Sequence, residues 1–211
     1  GKFLTTIERL HRIAPDAHII LTLREQRDWL LSRYKYGVGG GNLSCSFRDW
    51  LLSPVGIDML CVGCYSHIYD VVGQFYPRQR IHLLFYEDMR RDYEAFIERF
   101  YALLGLRPED HEFIRANPSL ADDALAVRRV LNRFRAFDRA NALSVPERWL
   151  HRQLMNGVVW TLRWLGRRPA QPCARWGSDG LFHGIEEEFR RSNRELQIAT
   201  GASLGHRGYL L

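Results

Sequence analysis

The chain has 211 residues, of which 46% are hydrophobic, which is enough for one domain of moderate size with a packed core. Its formal net charge is +6, and the basic excess is almost all arginine because Lys2 and Lys35 are the only lysines. An arginine excess favours an anionic ligand or partner, and biased codon usage explains it equally well. The sequence contains no run of about 18 uncharged apolar residues, so it predicts no membrane span.

The first part of the chain alternates helical and strand patterns. Lys2–Ile13 has apolar residues at helical spacing and predicts an amphipathic helix. The apolar run His18–Leu23 predicts a buried strand, which stops at Arg24 and continues into a helical pattern. Gly37–Asn42 predicts a flexible loop. This loop is not of the Walker type, because no Gly-Lys-Ser/Thr follows it.

The pattern then repeats. Ile57–Tyr76 predicts one long helix, and Arg80–Tyr86 predicts a second buried strand. Asp92–Leu104 predicts a helix that Gly105 caps. A short helix is also predicted earlier, at Phe47–Leu52. After Gly105 only helices are predicted: Asp122–Ala140, a helix from the capping box at Ser144 to Leu165, and Ile185–Ala199.

Two strands that are each followed by a helix predict an α/β fold with a parallel sheet flanked by helices. We therefore expect one domain over residues 1–211, with an α/β part at 1–107 and a mostly helical extension at 108–211.

Arg24 is the first candidate for a binding residue. A strand that ends in an arginine places it at the carboxyl edge of the sheet, where open α/β folds bind ligands. The planar guanidinium suits a phosphate, and the hydroxyl of Ser32, eight residues later, can donate to the same group. The spacing alone fits a surface arginine and a serine on a solvated helix equally well.

The four cysteines do not predict a metal site. Cys61 and Cys64 stand at i and i+3 within a helical pattern, and no further ligands lie at suitable spacing. We interpret them as core or half-buried thiols, and the small number of cysteines favours a reducing compartment.

Taken together, several segments resemble sulfotransferases that use 3′-phosphoadenosine-5′-phosphosulfate. Pro15–Tyr36 resembles the motif that binds the 3′-phosphate, in which a strand ends in Arg and a Ser follows eight positions later. Arg80–Leu106 is similar to a second signature, a strand that runs into Tyr-Glu-Asp and a helix ending Leu-Gly-Leu. Further likenesses lie at Gly63–Tyr65, Phe75–Pro77, Asn117–Leu120 and the closing Ser-Asn-x-x-Leu and Gly-Tyr segment, Arg190–Leu211.

The resemblance implies a P-loop-like parallel sheet and transfer of a sulfonate group to a hydroxyl or amine, with 3′,5′-adenosine bisphosphate as the product. It assigns Arg24 and Ser32 to the 3′-phosphate and places Tyr86 beside the adenine. Tyr65 and His67 are candidates for the acceptor side, and a helix-packing role fits Tyr65 at least as well. Glu87 and Asp88 are expected to brace the loop or pair with arginines.

The resemblance also implies a 5′-phosphosulfate loop and a general base, neither of which we can place. We expect that loop to precede Gly1, so that the chain is an N-terminally truncated domain that supplies the 3′-phosphate-recognition half of the cofactor site. Its catalytic residues are unknown, and His67 is the one histidine that we would test as the base. We expect a carbohydrate, lipid or small-molecule acceptor, a cytoplasmic location and no nucleic-acid partner. The sequence leaves the oligomeric state open.

Two other interpretations stay open. One is a related nucleotide kinase, against which the missing Gly-Lys-Ser/Thr argues. The other is a non-catalytic module that binds polyanions through the arginines of Arg128–Arg139 and Arg163–Arg175, which a solvated charged face explains as well.

Overall fold

The computed structural model describes residues 2–107, 122–135, 157 and 174–211. They form two compact units. The first comprises Gly1–Asp28, Asp58–Phe113 and Ser178–Leu211, and the second comprises Trp29–Ile57 and Ile114–Gly177. The elements are α1 (Lys2–Ile13), β1 (Ile19–Leu23), α2 (Gln26–Gly39), α3 (Phe47–Leu51), α4 (Pro54–Gly63), α5 (Tyr65–Gly73), β2 (Ile81–Phe85), α6 (Tyr86–Arg91), α7 (Tyr93–Leu104), α8 (Asp122–Arg135) and α9 (Gly180–Thr200).

A small parallel sheet lies in the first unit. Strands β1 and β2 pair with Ile19 opposite Ile81 and Leu23 opposite Phe85. Both strands were predicted, and their observed ends differ from the prediction by one residue. The described part of the chain is thus a mostly helical α/β structure with a two-stranded parallel sheet.

The core of the first unit forms on one face of this sheet. Alternate strand residues point to the same face, so Leu23, Ile81 and Phe85 are buried together. Helices α1, α5 and α9 complete this core, with Ile7 and Val72 among its buried residues; the others are Tyr65, Tyr69, Tyr76, Leu196, Leu204 and Tyr209. Burial of such large side chains supplies the main stabilising free energy of the unit.

The prediction of one long helix over Ile57–Tyr76 was wrong. The structure has two helices there, α4 and α5, which meet at a bend of 70°. Gly63, the last residue of α4, packs closely on Phe189. A Cβ atom at this position would lie 2.9 Å from the Phe189 ring, so a larger residue would not fit without a shift. The Gly63 carbonyl accepts a hydrogen bond from Gln26 instead of continuing the helix.

The prediction of a loop over Gly37–Asn42 was also partly wrong. Helix α2 continues to Gly39, since Val38 is fully buried and holds this turn in place. Gly37 packs so closely on Leu43 that a Cβ atom would lie 2.5 Å from the leucine side chain. The glycines here serve close packing within a helix end.

The predicted helix boundaries at α1 and α7 were confirmed. The Asp92 side chain accepts a hydrogen bond from the Ala95 N–H at the start of α7. Gly105 ends α7 with φ of 66°, the left-handed conformation that favours glycine. Apart from residue 157, the predicted helix from Ser144 to Leu165 lies outside the described residues, as does the segment Asn117–Leu120.

In the second unit, aromatic packing accompanies a polar anchor. Tyr34, Phe47 and Trp50 are buried against one another. Asn132 of α8 donates to the carbonyls of Val38 and Leu43. These bonds fix the end of α2 to α8 within this unit.

Among the described residues, no individual helix has the length and apolar composition to cross a membrane, whereas α4 and α5 together pass that test with their 70° bend.

Candidate functional site

The site begins where the two strands end. Leu23 and Phe85 are paired across the sheet, so the next residues, Arg24 and Tyr86, emerge side by side. The Arg24 guanidinium carbon lies 4.5 Å from the centre of the Tyr86 ring. This cation–π contact holds the guanidinium plane against the ring. The structure therefore brings together two of the three residues assigned to the cofactor.

Arg24 has few acceptors of its own. Its one ion pair among the described residues is with Asp28, at 3.8 Å between the nearest nitrogen and oxygen. The Arg24 Nε atom is buried and has no hydrogen-bond partner there. The side chain as a whole is 24% exposed. A buried N–H without an acceptor costs free energy, so a ligand that supplied an acceptor oxygen would stabilise this guanidinium.

The backbone after Arg24 is held by buried polar groups. The Glu25 carboxylate accepts a hydrogen bond from the Asp28 N–H and so caps the start of α2. Gln26 is fully buried and donates to the Asn193 side chain at 2.6 Å. Asn193 in turn donates to the Leu210 carbonyl. The start of α2 is thereby tied to the closing helix and the C-terminal segment.

Glu87 and Asp88 take the bracing and pairing roles predicted from the sequence. Glu87 Oε1 accepts a hydrogen bond from the Glu25 N–H at 2.8 Å, and Oε2 accepts one from the Tyr209 hydroxyl at 3.1 Å. Asp88 forms a bidentate pair with Arg207, with distances of 2.9 and 3.0 Å. Both predictions are confirmed.

Tyr65 packs at the same edge. It is buried, and its hydroxyl donates to the Arg24 carbonyl at 2.7 Å. Burial, together with the nearby Glu87 and Glu25 charges, raises the pKa of Tyr65 well above its ordinary value. Burial, together with the nearby Glu87 charge, also raises the pKa of Tyr209. Both phenols are therefore hydrogen-bond donors at neutral pH.

The remaining predicted site residues lie elsewhere. Ser32 is a half-buried residue of α2 in the second unit, whereas Arg24 lies in the first. His67 is on the exposed side of α5, where it lines an apolar groove with Phe3 and Leu4. Its assignment and that of Ser32 stay predictions.

No cluster of three or more metal-ligating side chains occurs within the part of the chain that the structure describes. The prediction that both cysteines of the Cys61–Cys64 pair are at least half-buried held for Cys64 only, because Cys61 is exposed on α4. Burial raises the pKa of the Cys64 thiol and so disfavours its thiolate form.

Comparison of the sequence with models of protein families identifies the family to which the chain belongs. The model of the sulfotransferase family matches residues 2–110, just over half of the chain. The chain belongs to the sulfotransferase family. Searches of curated proteins and of solved structures gave no match. The matched residues of this sulfotransferase include both strands and the residues Arg24, Tyr86 and Glu87.

Sequence reasoning missed part of the support for this edge. Tyr209 and Asn193 belong to the closing segment that resembles the family, but no pattern in the sequence assigned a role to either residue. Their partners are 122 and 167 positions away in the chain. A conspicuous Ser-Asn and Gly-Tyr near the end was the available signal, and it did not identify what these side chains contact.

Proposed function

We propose that this sulfotransferase transfers a sulfonate group from 3′-phosphoadenosine-5′-phosphosulfate to a hydroxyl or amine acceptor, and that Arg24 binds the 3′-phosphate of that cofactor. The observation that carries the proposal is the Arg24 guanidinium, which stacks on Tyr86 and is short of acceptors.

A phosphate would complete this arginine. The guanidinium offers a planar fork of N–H groups that matches phosphate oxygens in pairs. Its contact with Asp28 at 3.8 Å is too long for a strong charge-assisted hydrogen bond. The Tyr86 ring stacks on the same guanidinium, and an aromatic side chain at the sheet edge suits an adenosine bound there.

The other members of the site are proposed from the family motif. Ser32 follows Arg24 by eight residues, as the motif requires, and its hydroxyl would donate to the same phosphate. Tyr65 and His67 stay predictions for the acceptor side. We further propose that β1 and β2 belong to a P-loop-like sheet, with a small molecule or a carbohydrate as the acceptor.

In the proposed reaction, the acceptor oxygen or nitrogen forms a bond to sulfur while the bond from sulfur to the 5′-phosphate oxygen breaks. The acceptor proton leaves to a base, and 3′,5′-adenosine bisphosphate departs. Such transfer depends on alignment of the reacting atoms and on stabilisation of the leaving phosphate. Arg24 contributes to alignment by fixing the end of the cofactor away from the reacting sulfur.

The alternative interpretations have less support. Five of the nine arginines proposed for a polyanion-binding module lie within the described residues, where Arg128 is buried and Arg133 and Arg175 are exposed. A module of that kind would bind unrelated nucleic acids with a steep dependence on salt. The family match favours a transferase over this module.

The direct test is a calorimetric titration of the wild-type chain with three nucleotides. We expect 3′,5′-adenosine bisphosphate to bind at least about 10-fold more tightly than 5′-AMP, since a charge-assisted hydrogen bond contributes about 1.5–3 kcal/mol. The 2′,5′-bisphosphate has the same charge and serves as the positional control, which we expect to bind more weakly than the 3′,5′ isomer. Equal affinity for 5′-AMP and the 3′,5′-bisphosphate would refute the assignment.

A further inference from the structure

The two hydrogen bonds that flank Arg24 fall on a single peptide group. The Arg24 carbonyl accepts from the Tyr65 hydroxyl at 2.7 Å. The Glu25 N–H, on the other side of the same peptide bond, donates to Glu87 Oε1 at 2.8 Å. A peptide group is planar, so fixing both its oxygen and its hydrogen fixes its orientation.

Tyr209 adds a third member to this arrangement. Its hydroxyl donates to the second oxygen of Glu87, at 3.1 Å, and its ring packs edge-on against Phe85 with 6.1 Å between ring centres. Tyr65, Glu25 and Tyr209 are all buried. The three anchoring side chains are Tyr65 from α5, Glu87 from α6 and Tyr209 from the C-terminal segment, and these elements are distant in sequence.

We propose that Tyr65, Glu87 and Tyr209 form a peptide clamp that positions Arg24 for phosphate binding, a role that rests on the function proposed above. None of the three needs to touch the nucleotide. They act by holding the backbone from which the Arg24 side chain extends.

The physical reason is the freedom of the chain where a strand turns into a helix. Without the clamp, the peptide after Arg24 could rotate by linked changes in the Arg24 ψ and Glu25 φ angles. Such a rotation would move the guanidinium away from Tyr86, and a displacement of about 1 Å is enough to weaken a charge-assisted contact strongly. Because both phenols keep their protons, the clamp is complete at neutral pH.

A matched substitution separates this role from general stability. Tyr76 is buried in the same core as Tyr65, and its hydroxyl also donates to a backbone carbonyl, that of Ala14 at 3.1 Å. Tyr76→Phe therefore removes the same kind of bond from the same kind of place without touching the peptide after Arg24. Tyr65→Phe and Tyr209→Phe remove bonds that belong to the clamp.

Two measurements test the proposal. The first is the ratio of affinities for 3′,5′-adenosine bisphosphate and 5′-AMP. We expect it to fall by about 3- to 10-fold in Tyr65→Phe and Tyr209→Phe, the effect of one hydrogen bond, and to stay unchanged in Tyr76→Phe. The second is the hydrogen-exchange rate of the Glu25 amide without nucleotide, which should rise in the first two variants only.

If Tyr65→Phe does not fold, Glu87→Gln replaces it, because the NH2 group that takes the place of one carboxylate oxygen cannot accept the hydrogen bond that this oxygen receives from Glu25 or Tyr209. Wild-type preference for the bisphosphate with no difference among the three tyrosine variants would overturn the clamp and leave the proposed function standing. If the wild type shows no preference for the bisphosphate, the proposed function and the binding role of the clamp are both refuted. The Glu25 exchange rate in the variants would then still decide whether the three side chains anchor the peptide.

Discussion

Two arginines of the first unit lie over neighbouring aromatic rings, but their surroundings differ. The Arg207 guanidinium carbon is 4.2 Å from the centre of the Phe85 ring, and the Arg24 guanidinium carbon is 4.5 Å from that of Tyr86. Arg207 also makes three short contacts with the two oxygens of Asp88. Within the part of the chain that the structure describes, Arg24 has one ion pair, at 3.8 Å, and its Nε atom has no hydrogen-bond partner.

The difference teaches how an arginine with a structural role can be told from one free to bind a ligand. Aromatic stacking is common to both, so it does not distinguish them. The number of nearby acceptor oxygens does distinguish them, because the Asp88 carboxylate accepts several hydrogen bonds from Arg207, whereas the carboxylate nearest to Arg24 lies 3.8 Å away. Replacing Arg207 should therefore cost mainly stability, whereas replacing Arg24 should cost mainly binding.

The largest effect is expected for Arg207→Ala. The side chains of Arg207 and Asp88 are 18% and 22% exposed, and removal of the arginine leaves a mostly buried carboxylate unpaired. We expect a loss of about 2–3 kcal/mol in the free energy of unfolding, measured by urea denaturation. Arg207→Lys is the matched control, since it keeps the charge but loses the fork, and it should lose roughly half as much.

The proposed distinction between Arg207 and Arg24 is wrong if Arg207→Ala unfolds at the same urea concentration as the wild type. In that case the paired arginine would carry no stability, and acceptor supply would not separate the two residues.

A smaller effect is expected for Asp28→Asn. Asp28 is the carboxylate nearest to Arg24, and its side chain is 59% exposed. Removing its charge should strengthen binding of 3′,5′-adenosine bisphosphate by about 2- to 5-fold, because exposed ion pairs contribute less than about 1 kcal/mol. The affinity for 5′-AMP should change less. Weaker bisphosphate binding in the titration would contradict the view that Asp28 competes with the ligand.

Local patterns predicted the elements that local forces determine. The apolar spacing of α1 and the Asp92 and Gly105 caps of α7 were enough to place those helices. The break at Gly63 was missed because its cause lies in Phe189 and Gln26, which meet it only in the folded chain. The same reason explains why the sequence placed a loop where Val38 is buried within α2.

The candidate site shows the same division. Arg24 was a candidate because the end of a strand is visible in the sequence, and Tyr86 was assigned through the resemblance to the family. The clamp was not predicted, since Tyr65 and Tyr209 reach the peptide after Arg24 directly or through Glu87 over separations of 41 and 122 residues. Residue type suggested that Glu87 would brace the loop, but only the structure shows which groups it joins.

The most direct test of the account compares Arg24→Ala with Arg80→Ala by nucleotide titration. Arg80 pairs with Asp16 at 2.7 Å just before β2 begins, is 33% exposed and carries the same charge, so it controls for the loss of one cation. If Arg24 binds the 3′-phosphate, Arg24→Ala should lose the preference for 3′,5′-adenosine bisphosphate over 5′-AMP, and Arg80→Ala should keep it. An Arg24→Ala protein that retains the wild-type preference would contradict the account.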